Sequence, residues 1–458
     1  MLTLRGTQQE FVDKGVEILT SKSTRKTVMV APVAYGKSIC IANIVARLDA
    51  PCIVLQPNKE LLEQNYAKYT SYGYEASIYS ASLGRKELGT ITYGTIGSMK
   101  SKIEEIRKLK VKYLIIDECH MATGTSSGIA KFIKALRIKN VLGVTATPVL
   151  LSSGGEGTML KMMDRSRTNL FSTIGHVVQI QELVAAGYWA KLKYDQRVTS
   201  VPHLEFNKSG SEYTVGSMYK SYIESETEGR VIKAVKDMRA EGRKSILVFV
   251  PTIKAAEDLQ RRIKGSAVVH GKTKKKERAE IVRQFKEQEL DVLINVEVFT
   301  TGFDHPGLDC IIMARPTASI TLYYQILGRG TRIHPDKENC KIVDLSGNVA
   351  TFGGIERLNY HYIDGYGWGL YTDDLCLTHA PIKSIYGRPT KEELEATVTI
   401  SGHRSLKEHR EAEVWFGKFK GMQLQHVPAY YLNYLLEMDA YTLKMKELQL
   451  SATEVLKS

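Results

Sequence analysis

Residues 27–38, Thr27-Val28-Met29-Val30-Ala31-Pro32-Val33-Ala34-Tyr35-Gly36-Lys37-Ser38, decide the fold. The first four form a short apolar, β-branched run that reads as a strand buried on both faces. Residues 39–48 are apolar nearly all round and read as a covered helix. Between them the chain turns from strand to helix through a loop ending in Gly-Lys-Ser. At such a junction the helix N-terminus and successive backbone N–H groups point at one anion. Pro32, Val33, Ala34, Tyr35 and Gly36 would then wrap nucleotide phosphates, with Lys37 on the β/γ-phosphates and the Ser38 hydroxyl on Mg²⁺. Two positions depart from the usual pattern. Ala31 and Ala34 stand where glycine is common, and a positive φ at Ala34 costs about 1 kcal/mol.

Working outward, the strand–helix alternation continues through Ile53-Val54-Leu55, Tyr113-Leu114-Ile115-Ile116 and Val141-Leu142-Gly143-Val144. It restarts after a polar stretch, with strands predicted at 246–250, 267–269, 292–294, 311–313 and 342–343 and helices such as 274–286 between them. Continuous apolar strands alternating with helices predict parallel sheets covered on both faces. The chain therefore reads as α/β, with two domains at about 1–190 and 191–375. From about 376 the strand rhythm stops, and 376–458 reads as a small, mostly helical appendage.

The run Tyr113-Leu114-Ile115-Ile116-Asp117-Glu118-Cys119-His120 is a buried strand carrying two adjacent acids at its tip. Asp117 suits the water shell of Mg²⁺, a hard ion that keeps waters and takes one or two carboxylates. Glu118 is placed to orient and deprotonate an attacking water. In Gln325-Ile326-Leu327-Gly328-Arg329-Gly330-Thr331-Arg332 two guanidiniums stand three residues apart. On one face of a helical turn they would reach γ-phosphate oxygens across a cleft.

Composition narrows the partner. In 458 residues, Lys+Arg 63 against Asp+Glu 50 leave a net charge of +13, which favours a polyanion. No apolar run approaches a membrane span, the first residues lack signal-peptide order, and the six cysteines form no C-x-x-C pair. A reducing cytoplasm is the expected compartment, the host's if the chain is phage-encoded, with no membrane partner.

The ordered set of motifs resembles superfamily 2 helicases through most of residues 1–350. Asp117-Glu118-Cys119-His120 is similar to a DExH box, and Thr145-Ala146-Thr147-Pro148 to the motif coupling hydrolysis to the nucleic-acid grip. Thr301-Gly302-Phe303-Asp304 and Gln325 to Arg332 resemble the last two motifs of the second domain. The resemblance implies two tandem RecA-like domains and an enzyme using ATP and Mg²⁺. It places Arg5 and Gln8 beside adenine, Gly302 and Asp304 near the nucleotide, and Gln325 on the γ-phosphate or attacking water. Arg329 and Arg332 become arginine fingers, worth about 10³–10⁵ in rate.

The resemblance also implies nucleic-acid contacts at Gln56 and Pro57, at Thr92, Gly94 and Thr95, at Thr300 and Thr301, and at His270 and Gly271. Lys274, Lys275 and Lys276 belong to a basic stretch over 261–289 that contains only four acids. A second, weaker basic patch comprises Lys131, Lys134, Arg137 and Lys139. Backbone contacts of this kind read shape and charge rather than bases.

Ile342-Val343-Asp344-Leu345-Ser346-Gly347-Asn348 is similar to DNA-repair-type and phage helicases. The expectation is a monomeric DNA helicase or translocase acting on single-stranded, forked or branched DNA, 3′→5′ and nearest to phage branch-migrating enzymes. An RNA helicase, or a nucleic-acid-binding remodelling subunit with weak ATPase, stands as the alternative. Residues 204–213 read as a hairpin, either an ordinary surface hairpin or a strand-separating wedge. Tyr360, Tyr362, Tyr366, Trp368 and Tyr371 read as a base-stacking platform or as packing against the second domain. Val414 to Gly421 with Val427 to Leu432 resembles an appended module suited to a fork clamp or a structural cap.

Overall fold

The computed structural model describes residues 4–122, 127–154, 157–165, 170–198, 201–208, 210–298, 304–364, 366–378, 390–392, 406–414, 419–437 and 443–457. The α/β class with parallel sheets is what forms. The first lobe contains β1 (Thr27–Val30), β2 (Cys52–Leu55), β3 (Ser77–Ser80), β4 (Arg85–Lys86), β5 (Ile91–Gly94), β6 (Tyr113–Asp117), β7 (Asn140–Thr145) and β10 (Thr173–Val177). They are ordered β10-β1-β7-β6-β2-β5-β3-β4, all parallel except β4 on β3. The hairpin of β8 (Val149–Gly154) and β9 (Gly157–Met162) follows β7. Helices α1 (Gln8–Thr20), α2 (Lys37–Ala46), α3 (Lys59–Thr70), α4 (Ile96–Met99), α5 (Ile103–Lys108), α6 (Gly128–Leu136) and α7 (Ile180–Ala185) complete the lobe. Every residue of β1, β2 and β6 is buried, as a sheet covered on both faces requires.

The second lobe repeats the plan with β11 (Lys191–Gln196), β12 (Ile246–Phe249), β13 (Ser266–His270), β14 (Val292–Val296), β15 (Cys310–Met313) and β16 (Asn339–Asp344). Their order is β11-β16-β15-β12-β14-β13, all parallel. Its helices are α8 (Val215–Glu224), α9 (Thr227–Ala240), α10 (Ile253–Arg262), α11 (Lys275–Lys286), α12 (Ile320–Leu327) and α13 (Asn348–Phe352).

The aromatic run after the second sheet is itself a sheet, β17 (Leu358–Ile363), β18 (Gly367–Thr372) and β19 (Leu375–Cys376), all antiparallel. Tyr360, Tyr366 and Tyr371 are buried, which corrects the stacking-platform expectation for them; Tyr362 remains exposed. The packing partner also differs from the one expected, because the sheet's buried tyrosines meet the first lobe, while the segment just before the sheet is tied to the second. The Tyr360 hydroxyl donates to the Ala146 carbonyl (3.2 Å), and Gln179 exchanges two hydrogen bonds with the Tyr360 backbone. Arg165 donates to the Tyr366 carbonyl and lies 4.1 Å from the centre of its ring. On the other side Tyr194 donates to Glu356 (2.6 Å) and Tyr323 to the Gly353 carbonyl (2.7 Å).

The 204–213 hairpin forms, with Phe206 opposite Tyr213. It is tied down rather than free as a wedge: Glu212 accepts hydrogen bonds from the Thr317 hydroxyl and the Ala318 N–H. In the tail, Val414, Leu424, Val427, Tyr431, Leu432, Leu435, Leu448 and Ala452 form a separate small core, while residues 415–418 of the resembled module lie outside the described residues. The six cysteines are free and buried, and among the described residues no helix is long and apolar enough to cross a membrane.

Candidate nucleotide site and nucleic-acid face

The site forms at the carboxyl ends of β1, β6 and β7, where parallel sheets bind ligands. The Ala31 N–H donates to the Thr145 carbonyl (2.9 Å), fixing where the phosphate loop leaves β1. Ala34 takes the left-handed conformation (φ 60), so the strain foreseen at that position is present. Gly36 has φ 95, and a Cβ there would sit 2.8 Å from the Gln8 amide, so glycine is required. Lys37 then opens α2, whose N-terminus faces the loop.

Across the loop, Lys37 Nζ lies 3.3 Å from Glu118 Oε1, both side chains being largely buried. Glu118 itself has positive φ (47), which turns its carboxylate off the line of β6. Its Oε2 is 3.4 Å from His120 Nδ1, which also meets the Thr145 hydroxyl at 2.9 Å. Burial opposes ionisation of Glu118, but the charge of Lys37, helped by His120 and Arg329, outweighs it and holds the acid below the usual carboxylate range. Asp117 goes the other way, pushed up to about 6 by burial and then by the charge of Glu118. Asp117 accepts from Asn65 Nδ2 (3.0 Å) and from the Glu118 N–H (2.9 Å).

One cavity of about 310 Å³ joins both lobes. The first supplies Pro32, Val33, Ala34, Gly36, Lys37, Ser38, Asp117 and Glu118; the second supplies Asp304, Gln325, Gly328, Arg329 and Arg332. The two arginines do not share a helix as expected. α12 ends at Leu327; Arg329 stands in the turn beyond it and Arg332 just past that turn, and both line the same cavity. Arg332 Nε pairs with Asp304 Oδ1 (2.9 Å), and burial, then the charge of Arg332, pushes Arg329 down to about 10.

A second cavity of about 110 Å³ shares Ala34 and is lined by Arg5, Gln8, Tyr35, Glu182, Leu183 and Tyr188, among others. Gln8 accepts from the Arg5 N–H (2.8 Å) and donates to the Tyr35 carbonyl (2.6 Å), while Arg5 lies 5.5 Å from the centre of the Tyr188 ring.

Sequence reasoning missed several residues here. Trp189 Nε1 donates to the Val33 carbonyl (3.0 Å), and the Val33 N–H donates to the Tyr324 hydroxyl (3.4 Å). The loop of residues 31–36 is thus bracketed by Trp189, just ahead of β11, and by Tyr324 of the second lobe. Gly328 closes on it so tightly that a Cβ would meet Val33 Cγ2 at 2.5 Å. Lys337, buried, donates to the Gly330 carbonyl between the two arginines (3.2 Å). Tyr324 had a weak signal, being next to Gln325. Trp189 and Lys337 had none.

The expected nucleic-acid residues divide. Pro57 and Thr95 reach the surface at the ends of β2 and β5, and His270, Gly271, Lys274, Lys275 and Lys276 do so at the end of β13. Thr92 is fully buried and donates its hydroxyl to the Gly89 carbonyl (2.9 Å), so it is withdrawn as a contact. Gly94 is buried against Met99, and Gln56 is buried with its side-chain amide lacking a hydrogen-bond partner; both are withdrawn as surface contacts too. Thr300, Thr301 and Gly302 lie outside the described residues. The basic stretch is smaller than the sequence suggested. Arg261 pairs with Asp258, Arg262 with Glu228, and Arg283 with Glu280, Glu287 and Glu289.

Comparison with known proteins follows the same division. Residues 1–150 match the family model described as type III restriction enzyme, res subunit, and residues 230–334 match the helicase conserved C-terminal domain. A Saccharomyces cerevisiae protein named as the ATP-dependent helicase IRC3 is 24% identical over 364 residues, covering 75% of this chain and 51% of that protein. The chain thus spans about half the length of the curated relatives it matches first. Among solved structures, a fragment assigned to an HsdR subunit of a type I restriction enzyme from Vibrio vulnificus aligns with TM-score 0.57 at 18% identity, over 76% of this chain and 65% of that one. The ATP-dependent type ISP restriction-modification enzyme LlaBIII, bound to DNA, aligns with TM-score 0.55 at 15% identity, over 74% of this chain and 27% of that one. These structural likenesses concern the fold.

Proposed function

The chain belongs to the superfamily 2 helicases, and from that premise we propose an ATP-hydrolysing DNA motor that unwinds or branch-migrates forked or junction DNA in the 3′→5′ direction. The observation carrying this reading is the single cavity in which Lys37, Asp117 and Glu118 of one lobe face Gln325, Arg329 and Arg332 of the other.

In this reading Lys37 leaves Glu118 to hold the β/γ-phosphates, and the smaller cavity beside Arg5, Gln8 and Tyr188 takes the base. Glu118, released from its cation, orients the attacking water and accepts its proton. Gln325 positions that water, while Arg329 and Arg332 offset charge on the phosphoryl oxygens. Among the described residues no three His, Cys, Asp or Glu side chains converge as a metal cage. The Ser38 hydroxyl and the Asp117 carboxylate line the same cavity and suit Mg²⁺, which takes few protein ligands and completes its shell with water and phosphate. Mg²⁺ would supply charge neutralisation at the phosphates. Because the two lobes contribute different parts, hydrolysis is tied to their closure, and that motion is the output.

DNA is favoured over RNA by the sequence likeness to DNA-repair-type helicases and by the fold shared with the DNA-bound LlaBIII. ATPase stimulation and unwinding should be compared on single-stranded DNA, forks, four-way junctions and RNA of matched length. Greatest activity on forks or junctions is expected. Greatest activity on RNA would replace the reading with an RNA helicase, and binding without turnover would replace it with a remodelling subunit.

A further inference from the structure

Three acid-free segments of the first lobe meet at one edge of its sheet. No Asp or Glu occurs between Glu17 and Asp49, between Glu118 and Glu156, or between Asp164 and Glu182. These segments supply β1, β7 and β10, which are adjacent, with Thr27 beside Leu142 on one side and Thr173 on the other. At the amino ends of these strands, opposite the nucleotide cavity, lies an open groove of about 590 Å³. Lys26, Lys134, Arg137 and Lys139 line it, over an apolar floor that includes Ile133 and Ile138.

Lys134, Arg137 and Lys139 are exposed, and no ion pair involves any of the four among the described residues. Several acids of the first lobe are engaged elsewhere: Glu104 with Arg107, Glu105 with Lys102, Glu17 with Lys14 and Asp49 with Lys112. Arg137 takes the left-handed conformation (φ 55) that caps α6, a place that favours glycine. A cation there sits at a helix C-terminus, where the helix dipole accepts it, but the dipole does not account for Lys26 or Lys139.

We propose that this groove is a second nucleic-acid contact, gripping the phosphate backbone of a duplex arm that lies outside the path between the lobes. It rests on the reading of the chain as a nucleic-acid motor and adds to it where a forked substrate's duplex goes. Strands of this length put the groove roughly 15–20 Å from the carboxyl-end loops, a span that about six base pairs cover. The groove is open and its charged lining is cationic, so sequence-independent binding to a duplex backbone is the chemistry it fits.

The full chain and its Lys134→Ala/Arg137→Gly/Lys139→Ala variant should be titrated with a blunt duplex and with a single strand over a series of salt concentrations. The expected result is weaker duplex binding with a log–log salt slope shallower by about 2–3, and unchanged ATPase stimulation by single strands. Glycine suits the backbone at 137, and amine labelling of the unmutated chain gives a check that does not depend on the variant folding: duplex should protect Lys134 and Lys139. Unchanged duplex affinity and slope, with no protection, would overturn the inference while leaving the motor intact. If the unmutated chain binds no nucleic acid at all, the inference and the proposed function fall together. Loss of binding to phosphatidylserine vesicles with duplex binding intact would overturn it in favour of a membrane surface.

Discussion

Lys37 Nζ stands 3.3 Å from Glu118 Oε1, so the cation expected on the phosphates and the acid expected on the water neutralise one another in the structure described. Removing either partner therefore has different consequences. Lys37→Ala deletes the phosphate contact and should weaken ATP binding by about 10²-fold, in the range of a lost charge-assisted hydrogen bond. Glu118→Gln removes the competing anion and should bind ATP at least as tightly as the unmutated chain. Titration with a fluorescent ATP analogue checks both, and equal affinity for Lys37→Ala would remove it from the phosphate site.

Val33 is held by Trp189 on its carbonyl and by Tyr324 on its N–H. The phosphate loop carries a strained Ala34 in place of a freer glycine, so these bonds help to pre-organise it. Trp189→Phe and Tyr324→Phe keep the rings and delete the hydrogen bonds. Each should raise the KM for ATP by about 3–10-fold, corresponding to one ordinary hydrogen bond, with a smaller change in kcat. Steady-state kinetics with an unchanged KM in the double variant would contradict this.

Arg329 lines the cavity from the second lobe, and Lys337 holds the adjacent Gly330 carbonyl. Arg329→Ala should lower kcat by about 10³ while ATP binding persists. Lys337→Met keeps the buried volume, loses the grip on that carbonyl, and should lower kcat by about tenfold with KM little changed. A loss confined to thermal stability would make Lys337 structural only.

His305 is buried against Ser245, its Nε2 3.1 Å from the hydroxyl. Burial, and then the charges of Lys286 and Lys337, push its pKa down to about 4 from an ordinary 6.5. Between those values the unfolded chain binds the proton and the folded chain does not. Stability therefore rises with pH through that window and is lost as pH falls through it. The loss approaches roughly 3 kcal/mol as pH falls to the folded value. Thermal midpoints measured from pH 7 to pH 4 should fall, and His305→Gln should flatten the decline; an equal slope in the variant would exclude His305 as its source.

Strands β1, β2, β6 and β7 of the first sheet and β12 to β16 of the second were legible because burial on two faces leaves continuous apolar runs, as in Thr27 to Val30 and Tyr113 to Ile116; β3, β4, β5, β10 and β11 were not read as strands. The Gly36-Lys37-Ser38 and Asp117-Glu118 motifs were legible because each follows such a run. What stayed hidden depends on approach in space. Trp189 and Lys337 act on single carbonyls far away in sequence, and no local pattern records that. Thr92 looked like a surface hydroxyl, but β5 turns it inward onto Gly89. The two arginines were legible as a pair and misplaced on a helix, because Gly328 ends α12 before either is reached. The salt-bridged Arg261, Arg262 and Arg283 show why a charge count overstates a binding face.

In the proposed function the two lobes build one hydrolytic site driven by nucleic acid. This is tested most directly by ATP hydrolysis of the full chain with and without single-stranded DNA, beside the Glu118→Gln variant. Hydrolysis is expected to be stimulated by DNA in the unmutated chain and reduced by about 10²–10⁴ in Glu118→Gln. DNA-stimulated hydrolysis retained at the unmutated rate by Glu118→Gln would contradict it.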